Sequence, residues 1–360
     1  MSTAVSWDTA QKVAAWVASG RPPFATPAAA LDTATRAELD DDFAWATTKA
    51  ETLVVEATGL VPSGPAKAAV VDRSGWVANN LVSFQTLLGP VLHQLETTPM
   101  GSSMAAVARN VTGAQLGVVL GWMSTRVLGQ YDILLAEGDT GDAVSYVGPN
   151  IVAMERRHGF PPRQFRLWIA LHEVTHRCQF TGVPWLHGHF LSLVNEGLSS
   201  VNTDPRRFAQ ALKRAAGTVR QGRNPLDDAG LLGLVAGPEQ LEVLQRVQAF
   251  MSLLEGHGDV TMDRAGAAAL PEAPWFAHTL RQRRARASAP ARLFQQLIGL
   301  DAKLRQYQQG ERFIAEVESA GGEELFRRVW DGPEQLPSLE EIREPRRWVA
   351  RVAAAGTAVS

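Results

Sequence analysis

The interpretation of this chain depends on one stretch, Leu171-His172-Glu173-Val174-Thr175-His176-Arg177-Cys178-Gln179-Phe180. Its two histidines are four residues apart, so on a helix they lie one turn apart and both imidazoles can reach one ion. Glu173 is rotated about 100° from His172, where it can accept a proton from water at that ion without being a ligand itself. The pattern predicts zinc at His172 and His176, with Glu173 as general acid/base. The competing interpretation is a pair of core histidines bonded to their neighbours.

The residues around the motif predict a largely buried helix over about 162–181. Pro162 suits the first turn of a helix, because a missing N–H costs little there, and Gly182 is typical of a helix end. One face of this helix combines apolar residues with both histidines: Phe165, Ile169, His172, His176 and Phe180. The histidines therefore continue an apolar stripe and point inward.

Composition limits the class of protein. The chain has 360 residues, 45% of them hydrophobic and 20% charged, with a formal net charge of -2. We expect a single domain over 1–360, with a frayed Ala- and Gly-rich tail over about 353–360. The balanced charge predicts no nucleic-acid partner, and the lack of a long apolar run predicts no membrane span. One cysteine, Cys178, and an N-terminus without a secretory signal predict a cytoplasmic location.

Periodicity predicts a mainly α fold. The predicted helices lie near 7–19, 35–58, 74–97, 103–127, 162–181, 185–200, 205–215, 239–265, 275–287, 291–306, 311–319 and 339–353. Two β-prone runs, Tyr131–Leu135 and Ala143–Val147, flank the turn-rich segment Glu137–Asp142. They predict a small β-hairpin near the active-site helix. Its edge could pair with an extended peptide, or the hairpin could simply cap the core.

Glu255 is the favoured third metal ligand. It follows the apolar run Phe250–Leu254, which indicates burial, and Asp259 is four residues further on the same helical face. Such a pair can divide two tasks, with Glu255 binding zinc and Asp259 accepting the free N–H of a ligand histidine. Gly256 and Gly258 would let another helix or the metal approach closely.

Two other residues stay open as the third ligand. Simple geometry favours His189, because a short link makes the next helix fold back at once after the motif helix. Glu196 lies 20 residues after His176, a spacing like that of thermolysin-like enzymes, but Ser200 stands where those enzymes have an aspartate. If Glu255 is the ligand, His189 could donate a hydrogen bond to the developing oxyanion.

Further stretches accompany the motif: Val127-Leu-Gly-Gln-Tyr-Asp132, Tyr146-Val-Gly-Pro-Asn150, Val183-Pro-Trp-Leu186, Leu254-Glu-Gly-His257 and Leu300-Asp-Ala-Lys-Leu-Arg-Gln-Tyr307. With these stretches the chain resembles, over roughly residues 70–315, the zincin-like DUF2342 family. Some of its members carry the name zinc-dependent metalloprotease, and one branch carries the label coenzyme F420 biosynthesis-associated. The resemblance implies a zincin-like helical domain, zinc at His172 and His176, and Glu173 as catalytic acid/base. It implies at most an association with coenzyme F420 biology, and no F420 site is predicted.

Together these features predict a zinc metallopeptidase that cleaves an amide bond in a peptide or protein substrate. The alternative is a non-catalytic zincin-fold binding or scaffold protein associated with coenzyme F420 biology. The oligomeric state is not predicted.

Overall fold

The computed structural model describes residues 5–20, 31–96, 102–133, 142–199, 238–267, 269–285 and 300–357. Within these ranges the chain is mainly helical with one small mixed sheet, which confirms the predicted fold class. The chain divides into two compact units: unit 1 is Met1–Gly182 with Thr261–Phe276, and unit 2 is Val183–Val260 with Ala277–Ser360. The single domain over 1–360 stays a prediction.

Unit 1 contains the motif helix, the sheet and most of the N-terminal helices. Its helices are α1 (Trp7–Ala18), α2 (Thr33–Thr58), α3 (Arg73–Glu96), α4 (Ser102–Ser124), α5 (Gly148–His158) and α6 (Pro162–Gly182). α6 runs from the predicted proline to the predicted glycine, and its apolar face is buried. α2 lies against α6, and α1 lies against α4. Two glycines of α4 permit the contact with α1, because a Cβ at Gly117 or Gly121 would collide with the backbone of α1.

The sheet contains β1 (Lys67–Val71), β2 (Gly129–Tyr131) and β3 (Ala143–Val147) in the order β1-β3-β2. β2 and β3 are antiparallel, which confirms the predicted hairpin, but β2 shares only Tyr131 with the predicted first strand Tyr131–Leu135. Asp132 and Ile133 are described but are not part of a strand, so this portion of the predicted first strand is wrong. Leu134, Leu135 and residues 137–141 of the predicted turn lie outside the described residues. β1 was not predicted; it pairs with β3 in parallel, a contact between distant parts of the chain that local patterning does not reveal.

α5 was also not predicted. Its first residues, Gly148 and Pro149, follow directly on β3 and have the composition of a turn. Proline is equally suited to the first turn of a helix, because its fixed φ matches and its missing N–H is not needed. The helix ends at Gly159, whose φ of 68° is left-handed and favours glycine.

Unit 2 is helical in the part of the chain that is described. The remaining helices are α7 (Leu186–Ser199), α8 (Pro238–Gly266), α9 (Ala273–Ala285), α10 (Leu300–Arg327), α11 (Leu339–Arg343) and α12 (Pro345–Thr357), of which α8 and α9 belong partly to unit 1. The core of unit 2 contains residues of α8, α10 and α12, including Leu253, Phe313 and Trp348. Short 3-10 helices at Arg328–Trp330 and Pro333–Gln335 join α10 to α11.

The C-terminal helices differ from the prediction in their bounds. The two helices predicted at 291–306 and 311–319 correspond to α10, whose helical geometry is interrupted at Gly321 and Gly322. Residues 291–299 and the helix predicted at 205–215 lie outside the described residues. α12 continues to Thr357, beyond the point where composition predicted fraying.

Candidate metal centre

His172 and His176 lie together on one face of α6, as their spacing requires. Their Nε2 atoms are 3.3 Å apart and their rings are nearly perpendicular, with centroids 4.7 Å apart. Two nitrogens bound to one tetrahedral zinc ion at 2.0–2.1 Å are separated by about 3.3–3.4 Å. The separation of the two imidazoles therefore matches that of a shared zinc ion.

Glu255 completes a group of three potential ligands. One ligand atom from each of His172, His176 and Glu255 lies within 4.8 Å of the others. Glu255 is buried, with 3% of its surface exposed, and each histidine is half-buried. Two imidazoles and one carboxylate are a common protein ligand set of catalytic zinc. The donors present thus fit the ion, and the three residues form a candidate metal site.

Close packing of backbone positions the segment that carries Glu255. A Cβ added at Gly256 would lie 2.5 Å from the Cα of Gly310, and one added at Gly310 would collide with the carbonyl oxygen of Ser252. α8 and α10 therefore approach so closely that only glycine fits at their crossing. The expectation that Gly256 allows another helix to approach is confirmed.

Gln179 is a partner of the site that the sequence analysis missed. Its Oε1 lies 2.9 Å from Nδ1 of His176, and its side chain is fully buried. When Nδ1–H donates to this oxygen, Nε2 keeps its lone pair for a metal ion. The spacing of three residues after His176 puts Gln179 on the same helical face, and this spacing was the available signal.

Glu173 points towards the sheet. Its Oε2 accepts a hydrogen bond from the backbone N–H of Tyr131 in β2, at 3.2 Å. Tyr146, in the middle of the sheet, is fully buried; burial raises the pKa of its hydroxyl, and the negative charge of Glu173 raises it further. The general base predicted from the motif is therefore held beside β2, one residue after a candidate ligand.

Arg177 is a second residue that the sequence analysis missed. It lies one turn after Glu173 on α6 and is completely buried. Its guanidinium donates to both carboxylate oxygens of Asp142, at 2.8 and 2.6 Å, and to Glu51 at 2.7 Å. Burial alone lowers the pKa of Arg177, but Asp142 and Glu51 more than offset this and the net shift is upward. Arg177 thus stays charged and ties α6 to the start of β3 and to α2.

The two alternative ligands have other surroundings. His189 packs beside Trp185 and Phe250, with ring centroids 5.8 Å away in each case. Burial, together with the positive charge of Arg246, lowers the pKa of His189, so its imidazole is neutral at pH 7. Glu196 forms an ion pair with Arg246. Among the described residues, the candidate metal group includes neither of them, and the choice of third ligand stays a prediction.

Asp259 and His257 follow Glu255 on α8. Asp259 is half-buried one turn after Glu255, and its role as acceptor for a ligand histidine stays a prediction. His257 is buried, with 5% of its surface exposed, and packs against Phe326 and Trp330. The aromatic partners come from the end of α10 and the 3-10 helix after it, so local sequence could not indicate them.

Comparison with known proteins now gives the family. The zincin-like metallopeptidase family matches residues 5–349, nearly the whole chain. The chain belongs to this family. It is also similar to a crystal structure from Chloroflexus aurantiacus described as a proposed hydrolase with a novel fold, with 30% sequence identity and a TM-score of 0.72. That match covers 97% of this chain and 99% of the other.

No curated protein matches the chain. In the described ranges, each helix is too short or too polar to traverse a lipid bilayer. Family membership thus agrees with the candidate metal site.

Proposed function

We propose that this chain is a zinc-dependent metallopeptidase that hydrolyses a peptide bond. The observation that carries the proposal is the group His172, His176 and Glu255, whose ligand atoms lie within 4.8 Å of one another. Glu173 adds a carboxylate directly next to this group in the sequence. Membership of a zincin-like metallopeptidase family supports a peptide as substrate.

The three candidate ligands would hold the ion and leave a position open, as three-ligand catalytic zinc sites do. When bound, zinc supplies Lewis acidity, which polarises the scissile carbonyl and lowers the pKa of the attacking water. His176 is prepared for this role because its Nδ1 is bonded to Gln179. Glu255 contributes a negative charge that partly neutralises the ion in a buried environment.

Glu173 would move the proton in this reaction. It accepts a proton from water as the oxygen forms a bond to the carbonyl carbon, and it gives the proton to the nitrogen as the C–N bond breaks. The hydrogen bond from Tyr131 restricts rotation of the carboxylate. His189 is proposed as a donor to the developing oxyanion, since a neutral imidazole still carries one N–H.

Three matched Glu→Gln variants test the roles of three glutamates in one background. We expect Glu173→Gln to keep zinc and to lose peptide cleavage by about 10²–10⁴-fold, because the base is removed and the ligands stay. Glu255→Gln should lose zinc, and Glu196→Gln should keep it. Bound zinc is measured by elemental analysis, and cleavage with a peptide library.

The opposite results would be informative. Zinc loss in Glu196→Gln but not in Glu255→Gln would identify Glu196, and not Glu255, as the third ligand. A zinc-loaded wild type that cleaves no peptide would favour the non-catalytic alternative, a binding or scaffold protein, to which the association with coenzyme F420 biology belongs. Cleavage that survives Glu173→Gln would overturn the assigned base.

A further inference from the structure

The edge strand β2 turns a backbone N–H group towards Glu173. β2 is an edge strand, and its residues Gly129, Gln130 and Tyr131 face Tyr146, Ser145 and Val144 of β3. The backbone N–H of Val147 donates to the carbonyl of Leu128 at 2.8 Å, so these two residues form a hydrogen-bonded pair. Every second pair of an antiparallel ladder is hydrogen-bonded, so the pairs of Gly129 and of Tyr131 with β3 are not. The N–H groups of Gly129 and Tyr131 therefore point away from β3. The outward N–H of Tyr131 is the one that donates to Glu173.

Gly129 has no side chain because Glu173 lies where its Cβ would be. A Cβ at this position would lie 2.6 Å from Cγ, 2.9 Å from Oε1 and 3.0 Å from Cδ of Glu173. Backbone freedom does not explain this glycine, since it is not among the described glycines with positive φ, which are Gly20, Gly59, Gly159 and Gly322. Glycine is thus required at position 129 because the side chain of Glu173 occupies the space that a Cβ would need.

The helix and the hairpin are fixed to each other by a second contact on the same face of α6. Arg177, one turn after Glu173, binds Asp142 directly before β3. From one side of the helix, Glu173 therefore contacts β2 and Arg177 contacts the residue directly before β3. This arrangement prevents α6 from rotating relative to β2 without breaking a buried ion pair.

We propose that Gly129 and the backbone N–H of Tyr131 form a cradle that positions Glu173, with Gly129 as a positioning residue of the reaction. The N–H holds Oε2, and the missing side chain lets the carboxylate lie against the strand. The catalytic meaning of the cradle rests on the proposed function. The contact itself does not, and it can be tested without any activity.

The test is Gly129→Ala in the full-length, zinc-loaded protein, with Gly64→Ala as matched control, because a Cβ at Gly64 has nothing within 4 Å. Thermal unfolding is measured for each change in wild type and in a Glu173→Ala background. We expect Gly129→Ala to lower the Tm by about 2–4 °C in wild type and clearly less in Glu173→Ala, where the obstructing atoms are gone. Gly64→Ala should leave the Tm unchanged in both backgrounds.

Zinc affinity and kinetics complete the test. Gly129→Ala should keep the zinc affinity of wild type, because none of the candidate ligands is touched, and should lower kcat about 100-fold with little change in KM. An equal loss of Tm in both backgrounds, a loss of zinc, or an unchanged kcat would overturn the proposal. If wild type cleaves no peptide, the proposed function fails, while the Tm cycle still decides whether Gly129 accommodates Glu173.

Discussion

The two helices that carry the candidate ligands are held in different ways. α6, with both histidines, is anchored by buried charge: Arg166 is 3% exposed and pairs with Glu155 at 2.9 Å, and Arg177 is fully buried. α8, with Glu255, is anchored by contact of backbone with backbone, at Gly256 and at the facing glycine of α10. α6 is thus held by directional polar contacts, and α8 by close backbone contact that only glycine permits.

The difference corresponds to what each helix must hold. α6 presents two imidazoles and a base on adjacent faces, so a rotation about its axis would displace all three. Guanidinium–carboxylate pairs are planar and directional, and they restrict such a rotation. α8 presents one carboxylate, on a side chain that is longer and more flexible than that of histidine. For this helix, the distance between α8 and α10 matters more than rotation about its axis. Close glycine contact fixes that distance.

Arg177→Met tests the charge-based anchor and should have the largest effect. The change leaves Asp142 and Glu51 without their buried cation, and we expect a loss of about 3 kcal/mol in the free energy of unfolding. Denaturant unfolding measures this loss. The value is near the low end for buried pairs because both carboxylates are partly exposed, Asp142 at 30% and Glu51 at 23%.

Arg312→Met is the matched control for this prediction. Arg312 pairs with Glu316 one turn along an exposed face of α10, with 65% of its side chain accessible. Such a pair contributes at most about 0.5 kcal/mol. If the two substitutions cost the same, buried charge is not what anchors α6.

Gly310→Ala tests the glycine-based anchor. The added methyl group would collide with the carbonyl of Ser252, so α8 and α10 must separate. We expect a loss of about 2 kcal/mol in the free energy of unfolding and weaker zinc binding, because Glu255 moves with α8. Denaturant unfolding and a zinc titration provide the two measurements.

The same change at Gly188, in α7, is the control because nothing lies within 4 Å of its Cβ position. Alanine is a better helix former than glycine, so Gly188→Ala should be neutral or stabilising by up to about 1 kcal/mol. A Gly310→Ala protein as stable as wild type would show that the crossing of α8 and α10 tolerates a side chain.

The sequence predicted the parts of the candidate site that depend on helix periodicity, while the roles of these residues stay predictions. His172, His176 and Glu173 follow from spacing on one helix, and Glu255 from an apolar run that continues to its position. Features that depend on partners far away in the chain could not be predicted from the sequence. Arg177 occupies a position where a charged residue is usually solvated, and its burial depends on Glu51 and Asp142, far away in the chain.

The same limit applies to the sheet. β1 has two valines among its five residues, as β3 does, but its partner β3 is 76 positions further along the chain. The need for glycine at position 129 depends on Glu173, a residue of another element. Local propensity describes what a segment prefers by itself, and these features arise only when segments meet.

Gln179→Met tests whether α6 also prepares its ligand by a polar contact, and it should have the smallest effect. Methionine has nearly the same length but offers no oxygen to Nδ1 of His176, so the tautomer with a free Nε2 is no longer favoured. We expect about tenfold weaker zinc binding, or about 1.4 kcal/mol, with the fold retained. Gln179→Glu keeps an acceptor oxygen and should restore the affinity in a competition titration with a zinc chelator. Equal affinities for Met and Gln at this position would mean that α6 orients His176 by packing alone.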